Sequence, residues 1–293
     1  MSSRYEAEPS ATWNGWGVVV CVASFGLGIV AASDNGPTVM QPSELRVCAD
    51  PNNLPFSNRA GQGFENQIAE LIARDLGVTL SYTWMPERTG FLRNTLDAGR
   101  CDVVTGVPSG DSRLLTTSPY YRSTYVFVQR ADRGPPIRSF SDPRLTHFRI
   151  GIHVIGDDYN SLPPGVALAK RGLERQVSGF SLYGDYSSPS PPHELIQAVA
   201  DSQIDLAIVW GPLAGYFGRL SGKPLAITPV PASEGGGAAR FTYDIAMGVR
   251  RGDSALRHTL DVALAQRRTE IAAILARYGV PVVVADQELA TRR

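Results

Sequence analysis

Between residues 45 and 107 three short apolar runs alternate with two helix-like segments. The runs 45–49, 78–84 and 102–107 have the length and β-branched content of buried strands. The segment 65–76 places Ile68, Leu71, Ile72 and Leu76 on one helical face and stops at Gly77. The segment 90–98 carries Phe91, Leu92 and Leu96 ahead of Gly99. Parallel neighbours need a helical return over the sheet face, so this succession predicts a parallel sheet with right-handed crossovers. The fold class expected is α/β, with mostly parallel sheets and flanking helices.

The first strand runs into Cys48-Ala49-Asp50-Pro51-Asn52-Asn53-Leu54-Pro55-Phe56-Ser57, followed by Gly63-Phe64-Glu65-Asn66. Ligands of open α/β sheets bind outside the carboxyl ends of strands. Hydrogen-bonding side chains beside a flat apolar ring suit that place. Asp50, Asn52 and Asn53 are therefore candidates for ligand contact. Their alternative role is to form the turn and cap the next helix. Aromatic residues serve either the core or a cleft. Phe91 reads as core, whereas Phe56 and Trp84 stand near strand ends and read as cleft. Phe64, Glu65 and Trp210 complete the candidate set for ligand or partner contact.

A second α/β pattern comes next. A strand at 125–129 is broken by Gly134-Pro135-Pro136, and a new strand starts at 148–154 before Gly156-Asp157-Asp158. A Ser/Pro-rich loop at 187–192 precedes a helix at 193–202 and a strand at 205–210, ended by Gly211-Pro212. Glu234-Gly235-Gly236-Gly237 reads as a surface loop, 243–249 as the last strand, and 254–266 and 269–278 as helices. Two lobes are expected, 44–125 with 248–285 and 126–247, around a cleft that closes by hinge motion. The rival is a single doubly wound domain, disfavoured by the abrupt restart near Phe148.

Residues 13–32 are one apolar stretch centred on Val18-Val19-Val20-Cys21-Val22, with Ala31, Ala32 and Ser33 before polar Asp34-Asn35. Residues 1–33 look like a secretory signal peptide. Arg4 is offset by Glu6 and Glu8, so an uncleaved anchor is the alternative, about 20 apolar residues being enough to span a bilayer. Either way the bulk of the chain lies outside the cytoplasm, and any membrane contact runs through this segment. Residues 34–43 read as a linker and 286–293 as a tail. Lys plus Arg and Asp plus Glu each number 28, so no global field favours nucleic acid.

Cys48 and Cys101 remain beyond the leader. An exported chain permits a disulfide between them, and two buried free thiols are the alternative. Their places in two parallel strands tend to hold them apart, and Cα atoms more than about 7 Å apart cannot be bridged. No His-Glu-x-x-His, Gly-x-Ser-x-Gly, Gly-rich phosphate loop or Cys-x-x-Cys occurs, and His147, His153, His193 and His258 are scattered. No catalytic residue, metal or cofactor is expected.

Taken together, Leu45 to Asp50, Gly63-Phe64-Glu65, Gly99-Arg100-Cys101-Asp102-Val103-Val104, Ser118-Pro119-Tyr120-Tyr121, Asp205-Leu206-Ala207-Ile208-Val209 and Met247-Gly248-Val249-Arg250-Arg251-Gly252-Asp253 resemble type II periplasmic solute-binding proteins in order and spacing. Cys48 to Ser57, Arg93-Asn94-Thr95-Leu96, Cys101 to Pro108 and Pro119 to Phe127 resemble the MoxJ/XoxJ branch more narrowly. That resemblance implies a two-lobed periplasmic accessory of a quinoprotein (PQQ-dependent) alcohol dehydrogenase of the methanol type, with or without its cytochrome c. The alternative is a receptor that hands a small uncharged or apolar solute to a transporter, and a periplasmic lyase is a minor third reading because fold alone does not exclude catalysis.

Amino-acid-binding members hold the ligand carboxylate with an Arg after the third strand. Arg113 falls at the matching position, but Pro108 and Gly110 replace the hydroxyl residues that precede it, and Arg113 reads as a surface residue. Asp157 and Asp158 stand where an anion site would be, which disfavours an anionic ligand. Amino-acid binding is expected to be weak or absent. N-terminal sequencing of the exported protein should find a start after about Ser33; a start at Met1 or Ser2 would show an anchor instead.

Overall fold

The computed structural model describes residues 43–155, 162–182, 190–235 and 240–283. The expectations for the leader, the linker up to Pro42, Asp157 with Asp158 and the tail lie outside the described residues. In chain order the first elements are β1 (Glu44–Ala49), β2 (Asn52–Asn53), β3 (Ser57–Asn58), α1 (Phe64–Leu76), β4 (Thr79–Trp84), α2 (Phe91–Asn94), β5 (Val103–Pro108), β6 (Leu115–Thr116) and β7 (Tyr121–Arg130). They are followed by β8 (Ile150–Val154), α3 (Pro163–Ala169), β9 (Val177–Ser181), α4 (Glu194–Ala200), β10 (Leu206–Trp210), α5 (Gly211–Leu220), β11 (Leu225–Pro229), β12 (Thr242–Val249), α6 (Ser254–Gln266) and α7 (Arg268–Arg277).

Among the described residues, the main sheet runs β4-β1-β5-β12-β7-β10-β8-β9, with β11 on β7 and β6 on β12. The predicted parallel unit is present: β1 pairs in parallel with β4 and with β5, setting Cys48 opposite Thr83 and Val104. β8 likewise pairs in parallel with β10 and β9. β12 runs antiparallel to both neighbours, so the fold is a mixed α/β sheet with flanking helices.

β7 belongs to both halves of the sheet. Residues Tyr121 to Thr124 pair with β12, and from Tyr125 onward the same strand pairs with β10 on one side and β11 on the other. Beyond Gln41 the chain forms one compact unit. β12 pairs with β7 from Thr242 to Ile245 and with β5 from Ile245 to Val249.

Apolar stripes seat the helices. Phe64, Ile68 and Ile72 of α1 are fully buried against Val47, Met247, Leu260 and Ile274, and Gly77 ends α1 at φ 67°. The second half buries Phe127, Phe140, Ile150, Ile152, Leu206 and Phe241 on one face of the sheet. Leu195, Val199, Ala207, Val209 and Leu213 fill the cluster under α4 and α5.

Three stretches depart from the sequence expectation. The helix at 90–98 is only Phe91–Asn94, because Thr95 turns away at φ −121°, ψ −78° and its hydroxyl donates to Phe91 O at 2.6 Å. Gly211-Pro212 ends β10 but opens α5, since proline's fixed φ and missing N–H suit the first turn of a helix. β9 and β11 lie at sheet edges without apolar alternation, and β11 ends in Pro229, which an edge tolerates.

Cys48 and Cys101 are disulfide-bonded, with Cα atoms 5.5 Å apart. Cys101 precedes β5, so the strand register expected to separate the two thiols does not fix their distance. The bridge is buried with Phe91, Leu96, Val104, Val107 and Leu114. Arg250 donates to Cys101 O at 2.6 Å and to Asp102 at 2.7 Å, clamping the segment from the other side. A Cys48→Ala/Cys101→Ala variant should lose about 2–4 kcal/mol of unfolding free energy in denaturant titrations; an unchanged midpoint would contradict this.

Candidate functional site

A cavity of about 380 Å³ lies where the carboxyl ends of β1, β5 and β10 meet. Phe56, Glu65, Glu87, Thr105, Tyr125, Trp210, Leu213 and Tyr243 form much of its wall, with Asn53 at its edge. It joins a wider groove of about 1160 Å³ bordered by Arg88, Arg93, Asp97, Asp111, Arg113 and Ile155. Glu87, Gly106 and Pro108 border both spaces, but only the smaller one encloses Glu65 and the aromatic rings.

The loop after β1 is built by its own side chains. Asp50 Oδ1 accepts from Asn52 N at 2.8 Å, and Oδ2 accepts from Glu87 N at 2.7 Å. Asp50 is thus a buried turn former that ties this loop to the one after β4. Asn52 Oδ1 accepts from Ser190 N at 3.0 Å, a hydrogen bond to the other half of the sheet. Asn53 Nδ2 reaches Glu87 Oε2 at 3.5 Å. Phe56 O accepts from Glu65 N at 3.0 Å, and a Cβ on Gly63 would lie 1.9 Å from that oxygen. Only glycine lets the loop return so closely to α1.

The other candidates divide by position. Phe64 is fully buried in edge contacts with Phe56, Tyr121 and Tyr278 at 5.4, 6.0 and 5.8 Å. It is a core residue, not a cleft residue. Trp84 stacks on Tyr82 at 4.5 Å with the Arg59 guanidinium 5.8 Å from its ring, away from the cavity wall. Residues two apart on a strand share a face, and here that face turns the pair away from the cavity. Trp210 meets Tyr125 and Tyr243 edge-on at 5.4 and 5.8 Å. Arg113 pairs with Asp111 at 2.6 Å, is 71% exposed at its side chain and borders only the outer groove. Asp157 lies outside the described residues.

Glu65 is 7% exposed, in the first turn of α1. Thr105 Oγ1 donates to its Oε2 at 2.7 Å. Burial pushes its pKa up to about 7, against the smaller opposing effect of that hydrogen bond. Gly106, at φ +70°, makes room for it: a Cβ there would lie 2.0 Å from Glu65 Oε1. Glu87 keeps some exposure into the cavity but is closely enclosed, and burial, then Glu65, then Asp50 push it up to about 8. Burial and Glu65 also hold the Tyr120 phenol well above its usual value, and Tyr120 Oη accepts from Gly106 N at 3.2 Å. His153 is buried against Pro192 O at 3.2 Å and pushed down to about 4, which keeps it neutral at pH 7.

Glu87, Thr105, Tyr125 and Tyr243 escaped the sequence reading. Glu87 stands beyond the end of β4, on the same sheet edge that singled out Asp50. Applying that rule to every strand end finds it.

Both glutamates bind a proton more tightly in the folded chain than in the unfolded one. The stability this contributes is full below the unfolded glutamate value, about 4.5, and falls as pH rises to about 7 for Glu65 and about 8 for Glu87. Wild-type stability should therefore fall from pH 5 to 8. Glu65→Gln should flatten the lower part of that slope and gain about 1–3 kcal/mol over wild type at pH 8, read from denaturant midpoints across the range.

The sequence profile of bacterial extracellular solute-binding proteins, family 3, matches residues 45–281. Protein MoxJ of Methylorubrum extorquens is 35% identical over 255 residues, covering 82% of this chain and 81% of that protein. Protein MoxJ of Paracoccus denitrificans is 31% identical over 264 residues, covering 88% of this chain and 96% of that protein. The crystal structure of the periplasmic binding protein XoxJ from Methylobacterium extorquens AM1 superposes with a TM-score of 0.67 at 34% identity, over 82% of this chain and 99% of that one. The crossed sheet, the loop after β1 and these matches converge: the chain belongs to family 3 of the bacterial extracellular solute-binding proteins, as a MoxJ-like member.

Proposed function

We propose that the chain is a periplasmic, non-enzymatic accessory factor for the assembly or activation of a PQQ-dependent alcohol dehydrogenase of the methanol type, acting on the dehydrogenase with or without its cytochrome c. The observation that carries this reading is the state of the amino-acid clamp. Arg113 is committed to Asp111 at the rim of the outer groove, and no Lys, Arg or His lines the aromatic cavity among the described residues. An amino-acid carboxylate enclosed there would lose its water without gaining a counter-ion, which is unfavourable. The scaffold of a solute receptor is kept, while among the described residues its aromatic cavity carries no cationic grip. The MoxJ/XoxJ resemblance supplies the dehydrogenase, and the extracellular family supports the periplasm. Export is assigned to residues 1–33.

A second reading, a receptor for a small uncharged or apolar solute, draws on the aromatic-lined cavity of about 380 Å³, a volume within the range of small-molecule sites.

A strain lacking this chain should lose dehydrogenase activity while its uptake of small solutes is unchanged. Complementation with Arg113→Ala should restore activity fully. Intact dehydrogenase activity in the deletion strain, together with an uptake defect, would sink the accessory role and favour the receptor.

A further inference from the structure

We propose that the aromatic cavity binds an organic ammonium ion that carries no carboxylate, an alkylamine with one ring-sized apolar substituent. This goes beyond the accessory role and holds whether or not the dehydrogenase is the partner. The first ground is shape and surface. Phe56, Tyr125, Trp210 and Tyr243 line a space of about 380 Å³, at the lower end of small-ligand sites. Trp210 meets Tyr125 and Tyr243 at interplanar angles of 63° and 75°, so the rings that line the space are not parallel. Aromatic ring faces attract alkylated ammonium ions.

The second ground is charge. Glu65 and Glu87 line the floor, and among the described residues no Lys, Arg or His lines any wall of the cavity. The hydrogen bonds to these carboxylates come from neutral groups, the Thr105 hydroxyl at 2.7 Å and the Asn53 amide at 3.5 Å. A cation between the two acids would supply the charge that burial withholds. A carboxylate on the same ligand would face Glu65 and Glu87, with no Lys, Arg or His among the described lining residues to pair it. An amine without one fits; an amino acid does not.

Other groups face the two acids from each packed element. Asp50 contributes negative charge from the loop after β1, and both its oxygens already accept backbone hydrogen bonds. Tyr120, just before β7, and Tyr121, at its start, are buried phenols held above their usual range, so they stay neutral. Tyr125 and Tyr243 present rings, and Arg240, exposed, lies 5.2 Å from the Tyr243 ring without lining the cavity. Arg88, next to Glu87, borders the outer groove. Binding an ammonium ion therefore requires the glutamates to ionise and release protons, and burial pushes them up to about 7 and about 8. An alkylammonium, like a lysine side chain, keeps its proton throughout this range.

Calorimetry on the full chain tests this with 2-phenylethylammonium, 2-phenylethanol and phenylalanine at pH 6 and pH 8.5. The ammonium should bind saturably, about tenfold or more tighter at the higher pH, with proton release seen as a dependence of the heat on the buffer. The alcohol and the amino acid should bind at least tenfold more weakly at pH 8.5. Glu65→Gln and Glu87→Gln should each weaken ammonium binding about tenfold or more and reduce its pH dependence, while melting curves show a folded protein. Equal binding of alcohol and ammonium at pH 8.5 would overturn the proposal in favour of a neutral solute. Ammonium binding that survives both Gln variants, or no ammonium binding by folded wild type, would also overturn it. None of these readouts involves the dehydrogenase, so they stand apart from the deletion phenotype.

Discussion

The architecture depends on one strand that is hydrogen-bonded in two different surroundings. β7 pairs with β12 through Thr124 and is then flanked by β10 and β11 from Tyr125. Backbone donors and acceptors buried in a sheet must be paired, so this strand cannot leave either half without exposing unmet groups. It therefore sets where the carboxyl ends of β1, β5 and β10 meet and where the cavity opens. Ser123 Oγ reinforces the crossing by donating to Pro281 O at 2.7 Å, which fastens the segment after α7 beside it.

The cavity arises from that crossing together with short-range tethers. Asp50 spends one oxygen on its own turn and one on Glu87 N, so the loops after β1 and β4 are tied together. Asn52 then reaches Ser190 in the other half. Rings from both halves close over two carboxylates held on the floor. Burial of those two acids couples the chemistry of the site to the stability of the fold, because the charge they carry at higher pH is held where water is scarce.

Most of the fold was legible in the sequence because apolar periodicity and glycine stops are local signals. The strand read at 45–49 is Glu44–Ala49, the helix read at 65–76 is Phe64–Leu76, and Ser254–Gln266 matches its expected limits. α5 was hidden because proline after a strand signals a stop as readily as a helix start, and only the residues beyond it decide between the two. The site was legible in part. Phe56, Glu65 and Trp210 border the cavity, but Phe64 and Trp84, equally aromatic and equally near strand or helix ends, do not. Adjacent residues on a helix point about 100° apart, so Phe64 enters the core where Glu65 enters the cavity. No single-sequence rule fixes that rotation before the helix has a sheet to pack on.

Glu65 and Gly106 constrain each other across the cavity wall. A side chain at position 106 would strike the Glu65 carboxylate, and its backbone at φ +70° disfavours any other residue even without that contact. A glutamate at 65 in this rotamer therefore requires glycine at 106, and a shorter side chain at 65 would relieve the clash while leaving a buried gap and the positive φ unchanged.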